Sequence, residues 1–162
     1  GLTGPLKDRS LRLEIENLRD LPQVEGDTAA LRKAFYHVII NAIKYTPDGG
    51  RITISGVPVT AGQLGLAEGG SEVIVADTGI GIDAEYLELI FTKFYQTGEI
   101  ALHSTGKTKF KGGGAGLGLA ISRGIINAHR GKIWAVSPGY DEERCPGSEF
   151  HIVLPLHYQA DD

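Results

Sequence analysis

Three separated groups of residues in this chain could do chemistry together. His37, Asn41, Lys44 and Tyr45 fall at i, i+4, i+7 and i+8 of a run with helical spacing, so they share one stripe. Asn41 lies among apolar residues in VIINAI, where a side-chain amide needs a partner. Its oxygen is a hard ligand of the kind Mg²⁺ takes, and Lys44 one turn on suits the phosphates such a metal accompanies. An asparagine bonded to a neighbouring loop is the plainer reading of the same residue. Asp77 ends the apolar run EVIVAD and is followed by Thr78-Gly79-Ile80-Gly81. A carboxylate there can accept from an exocyclic amine, and the glycines let a flat base approach the backbone. An ordinary turn with the aspartate as a local cap is the alternative. Gly114-Ala115-Gly116-Leu117-Gly118 opens a second helix-like run, LAISRGIINA. Backbone N–H groups at such a start form an anion site aided by the helix dipole, whereas a mere linker would not alternate glycines straight into a helix.

Two familiar phosphate motifs fail. GKT at Gly106–Thr108 resembles the end of a Walker loop, but Ala101 occupies the first glycine position and KFKGGG follows where a helix should begin. GIGIDA after EVIVAD matches a dinucleotide fingerprint, yet Asp77 would set a negative charge beside the pyrophosphate, and no βαβ alternation follows.

These groups must be held by regular elements. LRLEIENL alternates as a half-exposed strand does. Asp27 reads as the N-cap of a helix through TAALRKAFYHVIINAIKYT, with Leu31, Ala34, Phe35, Val38, Ile39, Ala42 and Ile43 on its apolar face. RITISGVPV and EVIVAD read as strands joined by a glycine-rich connector. DAEYLELI is expected to be a short helix capped by Asp83. Residues 96–113 lack period and carry Lys107, Lys109, Lys111 and His103 against Glu99, so a mobile loop is expected. A second helix follows from Leu117, with Gly131 at its C′ position. KIWAVSP and SEFHIVLP are expected to form a hairpin. The order β-α-β-β-α-α-β-β implies an α+β two-layer sandwich, one mixed sheet with helices on one face.

At 162 residues the chain fits one domain with a substantial core. Its net charge of −4 argues against nucleic acid as the partner, and its longest apolar runs fall far short of a membrane span. The single cysteine, Cys145, fits a reducing compartment.

Taken in order, HVIINAIKYTPDGG, VIVADTGIGI, LELIFTKFYQ, GAGLGLAIS and PGSEFHIVLP resemble the asparagine, glycine and phenylalanine boxes of bacterial sensor histidine kinases. The resemblance is to their catalytic and ATP-binding domain, of the superfamily shared with gyrase B, and it runs from about Leu31 to Pro155. It implies a Bergerat fold with a mostly antiparallel mixed sheet and an ATP lid over residues 96–113, anchored by Phe91 and Phe94. It implies ATP and Mg²⁺ as cofactors. Asn41 would ligate the metal, Lys44 would touch phosphate and Tyr45 would line the nucleotide. Asp77 would hold the adenine amine beside Gly79, Gly81 and Ile82, with Ser148 supporting it through water. Gly114, Gly116, Leu117 and Gly118 would surround the phosphates. Residues 1–10 would be a linker remnant, 11–157 the catalytic domain and 158–162 a C-terminal tail. The acceptor histidine would stand on an upstream dimerisation domain, since none of His37, His103, His129, His151 or His157 lies in an H-E-x-[RNT] context. The domain alone is then expected to be monomeric and cytoplasmic, the parent protein a homodimer, membrane-anchored or not, serving a response regulator. Two catalytic positions depart from the pattern. His37 stands where relatives have asparagine or a water-activating glutamate, and Gln96 where many have arginine. They keep open a degenerate ATP-binding module, or an ATPase or protein-serine kinase of the same superfamily.

Overall fold

A computed structural model of the chain describes residues 2–93 and 117–157. The elements run α1 (Thr3–Asp8), β1 (Arg12–Glu16), α2 (Thr28–Tyr45), β2 (Arg51–Val59), β3 (Gly70–Asp77), α3 (Gly118–Ala128), β4 (Lys132–Val136) and β5 (Ser148–Pro155). The sheet order is β1-β2-β3-β5-β4, with β1 parallel to β2 and the other pairs antiparallel. This is the α+β sandwich with a mixed, mostly antiparallel sheet expected from the order of elements.

Register decides what faces the helices. Ile54 pairs with Val75, Val75 with Phe150, and Phe150 with Ala135. These side chains share one face and form a single core with Ala34, Val38, Ala42 and Ile43 of α2 and Leu119 and Ile126 of α3. Asp77 stands on the same face at the strand end, in the next row, between Ile52 and Ser148. The apolar stripe that sequence periodicity shows on α2 is therefore what orients its polar stripe.

Local chemistry fixes the helix ends. The Asp27 carboxylate accepts from the Ala30 N–H and caps α2. The two long helices are tied together by the buried Ser122 hydroxyl, which donates to the Ala34 carbonyl at 2.7 Å. They are also tied through His129, whose Nε2 accepts from the Asp27 N–H at 2.9 Å. That contact leaves His129 Nδ1 to donate to the Ile125 carbonyl at 2.8 Å.

Two expectations are corrected. Gly131 is not the C′ residue of α3. Arg130 takes the left-handed conformation with φ of 64°, and Gly131 N donates to Ile126 O as the next residue of a Schellman turn. Glycine is needed at 131 because a Cβ there would stand 2.2 Å from the Val153 carbonyl. DAEYLELI forms two separate 3₁₀ turns, Ala84–Tyr86 and Leu89–Phe91, and Asp83 makes no side-chain cap. So short a segment gains too few hydrogen bonds to offset helix nucleation. Residues 1–10, expected as a linker remnant, include α1. Behind it Arg9, buried, donates to the carbonyls of Ile43 and Thr46 and pairs with Asp48. Leu2 and Leu6 pack on the main core.

Candidate functional site

The site grows from the C-terminal half of α2 and the C-terminal end of β3. His37, Asn41 and Tyr45 lie one helical turn apart on α2, all half-buried, with Lys44 beside them. The Tyr45 carbonyl accepts from the Ile80 N–H at 3.1 Å, which docks the loop after β3 onto the helix end. The contact is so close that a Cβ on Gly79 would stand 2.3 Å from that carbonyl oxygen. At the other end of the stripe, a Cβ on Gly118 would come within 3.1 Å of His37 Nδ1. Leu117 is the N-cap residue of α3, so the start of α3 faces His37.

Asp77 is 9% exposed. Its Oδ1 accepts from the Gly79 N–H at 2.9 Å and its Oδ2 from the Ser148 hydroxyl at 2.8 Å. The hydroxyl thus reaches the carboxylate directly, where the family pattern implies support through water; β3–β5 register places the two residues opposite each other. Burial pushes the Asp77 carboxyl up from 3.8 to about 6, against the Ser148 and Gly79 hydrogen bonds that pull it down. It remains mostly ionised near neutrality, a desolvated acceptor with glycine on its approach. Such a group can take an amine N–H and discriminate against a carbonyl at the same place.

The loop joining β4 to β5 forms the far wall. Gly147 N donates to Gly79 O at 2.9 Å, Asp141 N donates to Ile80 O at 2.8 Å, and Gly81 bridges to Tyr140. Gly81, at φ 77°, has the Gly139 carbonyl where a Cβ would go, 1.9 Å away. Ile82 packs on the core while its N–H binds the Ser137 hydroxyl at 2.9 Å.

Structure thus brings together His37, Asn41, Lys44, Tyr45, Asp77, Gly79, Gly81, Ile82, Leu117, Gly118 and Ser148 on four elements and their loops. Phe91 is in the core, edge-on to Phe150 with ring centroids 6.1 Å apart. Phe94, Gln96, Gly114, Gly116, and the expected lid with His103 and its lysines lie outside the described residues. Sequence reasoning missed Ser137, Gly147 and Arg9. Gly147 was visible in PGSEF; a serine whose partners lie on other loops leaves no periodic signal.

A two-layer sandwich with a buried strand-end aspartate, a polar helix stripe and glycine turns is the arrangement that the Bergerat resemblance implies. The comparisons agree. Residues 26–158 match the family model described as histidine kinase-, DNA gyrase B-, and HSP90-like ATPase, and the chain belongs to that family. It is 37% identical over 153 residues to the adaptive-response sensory kinase SasA of Crocosphaera subtropica (strain ATCC 51142 / BH68), covering 94% of this chain and 34% of that protein. The chain therefore spans about a third of the length of the curated relatives it matches. Among solved structures, a mycobacterial sensor histidine kinase, MprB, superposes with a TM-score of 0.71 at 27% identity, covering 98% of this chain and 91% of that one. Histidine kinase ThkA, solved in complex with the response regulator protein TrrA, shares the fold with a TM-score of 0.67 at 24% identity over 96% of this chain and 37% of that one. The chain is homologous to the ATP-binding catalytic portion of sensor histidine kinases. No helix among the described residues is long and apolar enough to cross a membrane.

Proposed function

We propose that the constellation binds ATP with Mg²⁺ and delivers the γ-phosphoryl group to a histidine on an upstream dimerisation domain of the same protein. The observation that carries the reading is the buried Asp77–Ser148 pair beside Gly79 and Gly81 at one end of the α2 stripe, whose other end has the start of α3 beside His37. The first end suits the adenine amine, with Tyr45 and Ile82 lining the nucleotide; the second suits the phosphates, with Leu117, Gly118 and Lys44 beside them.

The metal reading fits the donors. Asn41 is half-buried on α2, and a side-chain amide oxygen is a hard donor of the kind Mg²⁺ takes alongside phosphates and water. Asn41 would supply that oxygen, and the ion would neutralise charge gathering on the bridging phosphates. In the transfer itself, the bond from the γ-phosphorus to the bridging oxygen breaks and a phosphorus–nitrogen bond forms at the acceptor histidine, with ADP leaving and an imidazole proton released. This domain contributes position and charge. His37 in place of a water-activating carboxylate favours transfer over hydrolysis. The whole protein would be a cytoplasmic-facing homodimer that passes phosphate to a response-regulator aspartate, and this domain alone would be a monomer without autophosphorylation.

Asn41→Ala tests the site: Mg-ATP should raise the melting temperature of the wild-type chain and leave that of the variant unmoved. Equal stabilisation of both sinks the metal assignment. Joined to its upstream region and given labelled ATP, the protein should acquire acid-labile, base-stable label. Free phosphate without protein label would make it an ATPase, and bound nucleotide with neither a degenerate module.

A further inference from the structure

In the wall of the base pocket opposite α2, one hydroxyl gathers three segments. Ser137 Oγ accepts from the Ile82 N–H at 2.9 Å and from the Gly139 N–H at 3.3 Å. Its one proton has two carbonyls in reach, Gly147 O at 2.9 Å and Gly139 O at 3.1 Å. A serine hydroxyl has one donor and two acceptor positions, so every hydrogen-bonding capacity of this group is used. Its partners lie on separate segments: Ile82 follows the Gly79–Gly81 loop, Gly139 lies two residues on in the β4–β5 connection, and Gly147 is the last residue of that connection. Gly147 itself precedes Ser148, the partner of Asp77, and a Cβ on Gly147 would stand 2.3 Å from the Asp77 carbonyl.

We propose that Ser137 is a positioning residue for base recognition. It fixes the separation between the loop carrying Gly81 and Ile82 and the strand start carrying Ser148, and so the width of the slot in front of Asp77. The remaining links across this seam are the backbone bonds Gly147 N to Gly79 O and Asp141 N to Ile80 O, the Gly81–Tyr140 bridge and the packing of Ile82 on the core, none of which supplies an acceptor for the Ile82 N–H. Without the hydroxyl, the Ile82 N–H loses its acceptor and the loop after Gly81 is free to shift toward or away from the ring plane. Ser137 touches neither base nor phosphate; it acts through Ile82 and Gly147.

The inference rests on the reading of the Asp77 pocket as an adenine site, and the test separates the two. Affinities of the wild type, Ser137→Ala and Ser137→Thr for ATP and GTP are measured by competition against a fluorescent ATP analogue, with melting temperatures taken without nucleotide. Loss of one such hydrogen bond predicts roughly tenfold weaker ATP binding in Ser137→Ala, a reduced preference for ATP over GTP, and recovery of both in Ser137→Thr. A fall in melting temperature with the ATP-to-GTP ratio unchanged makes Ser137 merely structural and overturns the proposal. If Ser137→Ala does not fold, amide exchange of the wild type decides: Ile82 should be protected without nucleotide and more so with ATP. Exchange at the rate of an open loop overturns it. A wild type that binds neither nucleotide sinks the adenine reading instead, while leaving Ile82 protection to be judged alone.

Discussion

The Ser148 hydroxyl donates to Asp77 Oδ2 across the β3–β5 ladder at 2.8 Å, at the end of the sheet's core-facing side. The pair is expensive for the empty domain. A carboxylate that is 9% exposed and bound by one hydroxyl and one amide is poorly solvated, and its affinity for a proton rises accordingly.

The first prediction is a pH dependence of stability. Asp77 has a folded value of about 6 against 3.8 for the free side chain. The folded state therefore holds this proton more tightly than the unfolded chain. Its stabilising contribution is fully present below about pH 4 and is lost as pH rises through 6, by about 3 kcal/mol in total. Urea unfolding of wild type and Asp77→Asn from pH 4 to 7.5 measures it. The variant should gain relative to wild type as pH rises, and parallel curves would remove the buried-charge account.

A second prediction concerns binding. Only ionised Asp77 accepts an amine fully, so ATP affinity should be present above pH 6 and fall below it. Ser148→Ala removes a charge-assisted hydrogen bond and should move that midpoint upward by about one unit. Affinity at pH 7 drops with it, while affinity at pH 8.5 stays closer to wild type. Titration of ATP binding against pH reads both. A midpoint that does not move would mean the hydroxyl leaves the carboxylate unaffected.

Why some of this could be read in the sequence and some not follows from the kind of interaction. The α2 stripe was legible because His37, Asn41 and Tyr45 repeat with the helix, and the apolar residues between them fix which way it faces. Asp77 was legible as the polar end of a buried strand, and Ser148 by its place in a family motif. Arg130 in the left-handed position was not, because the glycine beside it gives the stronger local signal while the Val153 carbonyl claims that glycine. Arg9 and Ser137 were invisible for a related reason. Each bonds backbone groups far away in the chain, and backbone partners carry no side-chain signature.

Two glycines should respond to the same substitution with opposite signs. Gly79→Ala would drive a methyl to 2.3 Å from the Tyr45 carbonyl and 2.7 Å from Asp77 Oδ1, so the loop must leave α2. It should cost about 1–3 kcal/mol and abolish ATP binding. Gly124 lies inside α3, and nothing stands within 4 Å of the place a methyl would occupy. Gly124→Ala should stabilise by about 0.5–1 kcal/mol through helix propensity and leave ATP affinity unchanged. Melting temperatures with and without ATP compare the pair directly, and a destabilised Gly124→Ala would contradict the open surface around α3.

The last prediction concerns where the folding unit begins. Arg9 precedes β1, yet its guanidinium is spent on the Ile43 and Thr46 carbonyls at the C-terminal end of α2, with Asp48 alongside. Those carbonyls are among the ones a helix end leaves without intrahelical partners, and Arg9 supplies their donors in a buried setting. Arg9→Ala strands buried acceptors and should cost about 2–4 kcal/mol. Asp48→Ala removes only a partner whose side chain is 71% exposed, and should cost less than about 1 kcal/mol. Because Tyr45 lies between those two carbonyls and binds Ile80 through its own, loosening this end of α2 should also weaken ATP binding in Arg9→Ala. Chemical denaturation of both variants, with ATP titration of each, gives the comparison. Equal, small losses in the two would show that the arginine acts only as a surface ion pair, and that the domain begins after it.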